Sequence, residues 1–566
     1  MKASKVAFLV FLCVVSLCAV TTQVKSQDSS ESVYILSDGS IYSSTNATVP
    51  IQQDGDVYTF TDNLFVYTFV VQRGGITIDG AGFAIEGEGD IGIEIRSIND
   101  VTIKNVQLNG MFYYGIYIME SSYNTITGNT IKNNGNGIVF YNSTQNTITN
   151  NIITDNDVGL DLRLTTENVF RNNNMDNTHN IAIYGTELSH FINDMDDSNT
   201  ISDDKKVYYL IGEEDLVINP DTFPDVGFLA LVSCTNITVQ NIELSNNGQG
   251  ILLAVTTDST IMQNSITGNY YGIMLFAASS NLVMGNSITN NDRGIQLSMF
   301  STSNSISAND ITDNTGGMFL YNSTQNTISG NIITDNDYGI GFSASAYNLI
   351  RGNYFIDNSI QVYDASTDDS TVTASVNTWY VSYPAGGNYW SDYTGIDVKT
   401  GIDQDEDGSD GVGDTPHVID SNNKDKYPLI LEGSSLVVYI TSPENTTYNV
   451  NSVTLTVTVS ETDSLIRYSL DGQANITISG STTLSDLSEG SHKLTVFAKD
   501  AEGNENSHTV YFTISEGAET PTETEESESL PITWIAAIVV VAVVGVAILY
   551  FLKIKKKPSP TKGTPT

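Results

Sequence analysis

The stretch DQDEDGSDGVGD, Asp403 to Asp414, carries oxygen donors at alternate positions. Asp403, Asp405, Asp407 and Ser409 take places 1, 3, 5 and 7 of a 12-residue loop, Gly408 stands at the sharp turn and Asp414 closes it. Ca2+ takes roughly six to eight hard oxygens, and alternate residues of a tight turn aim theirs at one point, so the spacing reads as a structural calcium loop of the EF-hand type. No helical pattern flanks it, and the last ligand is Asp rather than Glu, as in extracellular calcium loops. A solvated acidic turn is the competing reading.

Other groups offer less. Asp155, Asp313, Asp335 and Asp357 recur in equivalent turns, but a glycosidase needs an acid and a base in different environments, and nothing breaks this pattern to create them. A lyase or epimerase wants a base beside a neutralised uronate; Arg163, Arg171, Arg293 and Arg351 are scattered, without acidic partners in register. For copper, Met and His should cluster, yet Met262 and Met284 form the only close methionine pair, and His179 and His190 stand alone. Tyr114, Tyr271 and Tyr338 each precede a recurring glycine, and Trp379 and Trp390 lie in NTWYVSYPAGGNYWSDY. Such rings can stack on sugars; they can equally stack on one another or cap a fold. Six sequons, at Asn46, Asn142, Asn236, Asn322, Asn445 and Asn475, are candidate glycosylation sites.

What would position these residues is a repeat. Glycines recur at 115, 137 and 159, and again at 250, 272, 294, 317 and 339, nearly always 22 apart. Each unit reads G-I-x-L, a loose turn, then N-x-I-x-x-N-x-I. Strands this short cannot bury their own side chains, but a coil stacked about 4.8 Å on the next can. The columns Ile116, Ile138, Leu160; Ile131, Ile153, Met175; and Ile266, Ile288, Ile311, Ile333, Phe355 then form the core of a parallel β-helix over 65–375. The asparagines form ladders, Asn124, Asn146, Asn168 and Asn129, Asn151, Asn173, with counterparts at Asn281, Asn304, Asn326, Asn348 and Asn264, Asn286, Asn309, Asn331, Asn353. These corner residues are expected to tolerate left-handed backbone angles, and the glycines to relieve a bend. Residues 27–64 read as an N-terminal strand region and cap, 190–230 as an insertion, and 376–432 as a C-terminal cap carrying the acidic loop.

Around this all-β body the pattern changes. Residues 1–26 read as a secretory signal, 436–515 as a small Ig-like β-sandwich of six or seven strands, and 516–531 as an acidic stalk. Residues 532–552 are uncharged and long enough for one membrane-spanning helix, and the basic tail 553–566 places the C-terminus in the cytoplasm. Cys234 is the one cysteine beyond the signal, so no internal disulfide is expected. A net charge of -42 argues against nucleic acid and anionic lipid as partners and for cations or neutral glycans; adaptation to salt explains it equally well.

With GGITIDGAGFAIEG, the NTITGNTIKNNGNGI coils and the GNYWSDY to DGVGDTP ending, the chain resembles right-handed parallel β-helix proteins of the NosD-like, carbohydrate-binding and sugar-hydrolase superfamily, of the kind common on archaeal surfaces. The resemblance spans about 55–430 and specifies fold better than activity. The signal and the uncharged segment 532–552, rather than the resemblance, imply a cell-membrane, single-pass surface protein. The protein is expected to bind polysaccharide, surface-layer components or neighbouring-cell glycans without turnover. The alternative is a polysaccharide lyase, epimerase or hydrolase near the insertion, and the lesser one a copper accessory protein.

Overall fold

Each coil is built from three short strands, as in Asn136–Tyr141, Thr147–Thr149 and Ile152–Thr154. The turns between them pass through left-handed residues such as Gln145 (φ 56°), Asn150 (φ 56°) and Asp155 (φ 59°), which polar residues with short side chains tolerate best. A computed structural model describes residues 31–430 and, apart from 437, 444–446, 449, 460–463, 502 and 504, residues 436–515. The chain forms a right-handed parallel β-solenoid of about 14 turns. The expected signal, stalk, spanning helix and tail, and the sequon at Asn445, lie outside the described residues. Among the described residues no helix is long and apolar enough to cross a membrane.

Both expected asparagine ladders are present, but the ladder residues are not the left-handed ones. Asn151 is 1% exposed. It donates to Asn173 Oδ1 and to the Ile126 carbonyl, both at 2.9 Å, and its Oδ1 accepts from the Asn129 backbone and side-chain amides at 3.0 Å. The strained turn position belongs to the preceding residue, exposed Asn150. A third ladder runs through Asn134, Asn156 and Asn177, and through Asn269, Asn291, Asn314, Asn336 and Asn358. The recurring glycines serve a close approach rather than a bend: a Cβ on Gly272 would lie 2.5 Å from the Gly294 carbonyl oxygen of the next coil.

The region near 190–230 does more than interrupt the repeat. Thr200–Ile201 pairs antiparallel with Lys205–Ile211, the strand after it, and from there the parallel stacking resumes. One 15-stranded sheet runs continuously through this reversal. Before it, Ile131, Ile153 and Met175 point into one core; beyond it, Leu229, Leu231, Ile251 and Leu253 point into a second. The alternate residues Phe228, Ala230, Val232, Leu252, Ala254 and Phe276 pack on the first core. The chain is therefore two solenoids on opposite faces of a shared sheet, whose strand Val226–Val232 is buried at every residue. Burial on both faces explains why VGFLALV is apolar throughout instead of alternating.

Trp379 and Trp390 close the far end, Trp390 stacked 4.4 Å from Phe355. Two of the ladders extend into this cap through Asn377 and Asn388 and terminate on Asn423 and Asp425. Beyond residue 435, a three-stranded and a five-stranded sheet share an apolar cluster that includes Leu455, Leu494, Val496 and Phe512.

Candidate functional site

The expected aromatic platform divides. Trp379 and Trp390 are each 1% exposed and Tyr271 is 5% exposed, so none presents a ring face to a ligand; the tryptophans are needed to cover the last coil. Tyr338 is half-buried, edge-on to Tyr363 at 5.4 Å. Tyr114 is half-buried and stacked on Tyr117 at 5.1 Å and 15°, with the more exposed Tyr113 against its edge.

The acidic loop does not converge as placed. Asp407 pairs with Lys399, Asp414 accepts from the Val398 and Lys399 amides, and the Ser409 hydroxyl donates to Asp397 at 2.8 Å. Asp403 and Asp405 are exposed. Among the described residues no group of three or more His, Cys, Asp or Glu is arranged to hold a metal. Of the sequons, Asn46, Asn142, Asn236 and Asn475 are exposed and Asn322 is half-buried.

The residues that do come together lie at a seam that no single repeat encodes. The last opening strand of the first solenoid, His179–Tyr184, meets two strands of the second, Gln249–Ala254 and Tyr271–Phe276. Gly248 donates to the Ile181 carbonyl at 2.8 Å, and Tyr184 and His179 stand edge-on to Tyr271 and Tyr270 at 6.5 and 6.4 Å. From the first solenoid the seam receives Asp161 and Arg163. Asp161 is 1% exposed and accepts a fork from Arg163, Nε to Oδ1 at 2.9 Å and Nη2 to Oδ2 at 2.6 Å, with Asn136 donating at 3.1 Å. Strand register places Tyr117 on the same outer face, two strands away. From the second solenoid comes Arg293, whose guanidinium lies 4.8 Å from the Phe319 ring and 5.8 Å from that of Tyr271 and donates to Gln296 Oε1 at 2.7 Å.

The electrostatics suit binding. Burial pushes the Tyr114 hydroxyl up to about 12 and raises that of Tyr184 well above its ordinary value; burial lowers the His179 pKa. These groups are neutral near pH 7. Burial also works against the charge on Arg163, yet the Asp161 carboxylate outweighs it and holds the guanidinium's pKa above its ordinary value. The seam thus combines neutral rings with guanidinium groups. Sequence spacing singles out Tyr114 and Tyr271 but not Asp161 or the pairing of two arginines 130 positions apart.

A concavity of about 530 Å³ lies away from the seam, where the last coil meets the cap, lined by residues including Asp357, Gln361, Ser391, Asp392 and His417. His417 is stacked on Trp390 at 4.6 Å, its Nε2 4.0 Å from Asp392. Burial lowers its pKa, with Asp392 opposing.

Comparison with known proteins follows this division. The model of the NosD family, described as a periplasmic copper-binding protein, matches residues 29–204 and again 192–395. The chain belongs to the NosD family. The two NosD matches correspond to the two solenoids and meet at the antiparallel reversal. Among the described residues Met262 and Met284 adjoin in register, and the same column continues as Ser307 and Ser329 rather than as further soft ligands for copper. No curated protein matches the chain. Among solved structures it is similar to the periplasmic alginate epimerase AlgG (14% identity, 56% of this chain and 69% of that one, TM-score 0.20). It is also similar to the A-module of the Azotobacter vinelandii mannuronan C-5 epimerase AlgE4 (17%, 56% and 84%, TM-score 0.20). A third is an alginate lyase from a Paenibacillus species (14%, 53% and 91%, TM-score 0.18).

Proposed function

We propose that this NosD-family protein binds glycans along the seam between its two solenoids, without turning them over. One observation carries the reading: the stacked, half-buried Tyr114 and Tyr117 share an outer face with the Asp161–Arg163 fork. Stacked rings offer a flat apolar surface, and a fixed polar pair orients hydroxyl groups. The same reading has the protein displayed outside the cell, on the uncharged segment 532–552 and behind an Ig-like sandwich at 436–515, facing surface-layer or neighbouring-cell glycans. Calcium uptake by the 403–414 loop belongs to the proposal on the strength of its exposed carboxylates; it requires Asp407 to leave Lys399.

The test is to pass the purified protein through affinity gels of neutral and acidic polysaccharides while analysing the polymers for cleavage. Retention without products, weakened at least tenfold by Tyr114→Ala with Tyr117→Ala, is the expected result. The enzyme reading draws on the terminal cleft, where a neutral His417 beside Asp392 could act as a general base. Shortened or unsaturated products that disappear in His417→Ala would move the function there.

A further inference from the structure

The two arginines of the seam are not equivalent. Arg163 is matched by a buried carboxylate in two parallel hydrogen bonds. Arg293 instead donates to Gln296, a neutral amide, and its guanidinium is held against the Phe319 and Tyr271 rings. Asp292 precedes it, and the Arg293 charge works against the rise that burial gives that carboxyl's pKa, so the two charges interact without a bidentate pair like that of Arg163. Rings on either side fix the guanidinium plane without consuming its charge, and a fixed fork is what a carboxylate reads best.

We propose that the seam selects an acidic sugar, and that Arg293 is the residue that reads its carboxylate. This rests on the glycan-binding reading and names its ligand class. The net charge of -42 repels a polyanion at long range, so any affinity for one must arise from a local, shaped contact. A polyuronate chain meets both requirements, with the ring of one sugar on Tyr114 and Tyr117, three strands from the seam strand, and the planar carboxylate of another on Arg293. A phosphate or sulfate on a flexible chain would meet only the second.

The experiment compares polygalacturonate with its carboxyl-reduced counterpart of equal length, by affinity electrophoresis of the full chain in the presence of a chelator, so that calcium cannot bridge two anions. Wild type should hold the uronate polymer at least tenfold more tightly than the reduced one. Arg293→Gln should lower uronate binding to the level of the reduced polymer. Arg293→Lys, which keeps the charge but not the fork, should retain a part of the preference and guards against a folding defect. Equal binding of both polymers by the wild type, or a preference that survives in Arg293→Gln, overturns this inference and leaves glycan binding standing. Binding of neither polymer overturns both. Equal binding of polyglutamate, which has the charge but no sugar ring, also overturns the inference.

Discussion

The Gln249 carboxamide accepts the Ile183 amide hydrogen at 3.0 Å and donates to the carbonyl of the same residue at 3.1 Å. A side chain of the second solenoid thereby imitates a strand partner for the exposed edge of the first. Both groups are buried, so losing this partner leaves two backbone groups unsatisfied at about 1–3 kcal/mol each. Gln249→Leu should therefore cost roughly 2–6 kcal/mol. Amide hydrogen exchange should quicken at Ile183 before it does at Ile138, which lies deep in the first core.

Adjacent asparagines in the repeat should behave differently. Asn151 uses both of its amide hydrogens and accepts two hydrogen bonds; Asn151→Ala should destabilise by about 3 kcal/mol or more. Asn150 is exposed at φ 56°, and Asn150→Gly, which suits that backbone, should change stability by less than about 1 kcal/mol. Denaturant midpoints of the two variants test the pair.

Asp425 ends an asparagine ladder with a carboxyl group. Burial pushes its pKa up to about 6, although donors from Asn388, Trp390 and Tyr427 pull the other way. The folded value lies above the unfolded one of about 3.9. Its stabilising contribution is thus fully present below about pH 4 and lost as pH rises through about 6, by about 3 kcal/mol at most. The stability of the wild type relative to Asp425→Asn should fall across that window and stay level above it, measured as a difference in urea midpoints. A flat difference would remove this carboxyl from the account.

Millimolar Ca2+ is expected to raise the melting temperature of the wild type and to leave Asp405→Ala unchanged. Identical curves with the ion and with a chelator would sink the calcium proposal.

How much of this is legible in the sequence depends on the range of the interaction. The isoleucine columns and two asparagine ladders are visible because one contact repeats every coil. The third ladder keeps the same period, but Asn156 and Asn336 sit inside turns that read as merely polar. Trp379 and Trp390 are ambiguous by composition, since a ring that caps a core and one that offers itself to a sugar are the same residue. The seam is not legible. It depends on the reversal between Ile201 and Lys205, which exchanges the inner and outer faces of the shared sheet and so brings Arg163 and Arg293 to neighbouring surfaces; without that reversal the two arginines read as unrelated outliers.

The sheet shared by the two solenoids also sets an order for making the protein. Phe191, at the open end of the first core, packs 4.6 Å from Phe276, a residue written 85 positions later. During vectorial synthesis the first half leaves the ribosome with its end uncovered until strands of the second half arrive. Either half expressed alone would keep that apolar end in water, so the duplicated halves form one interdependent unit.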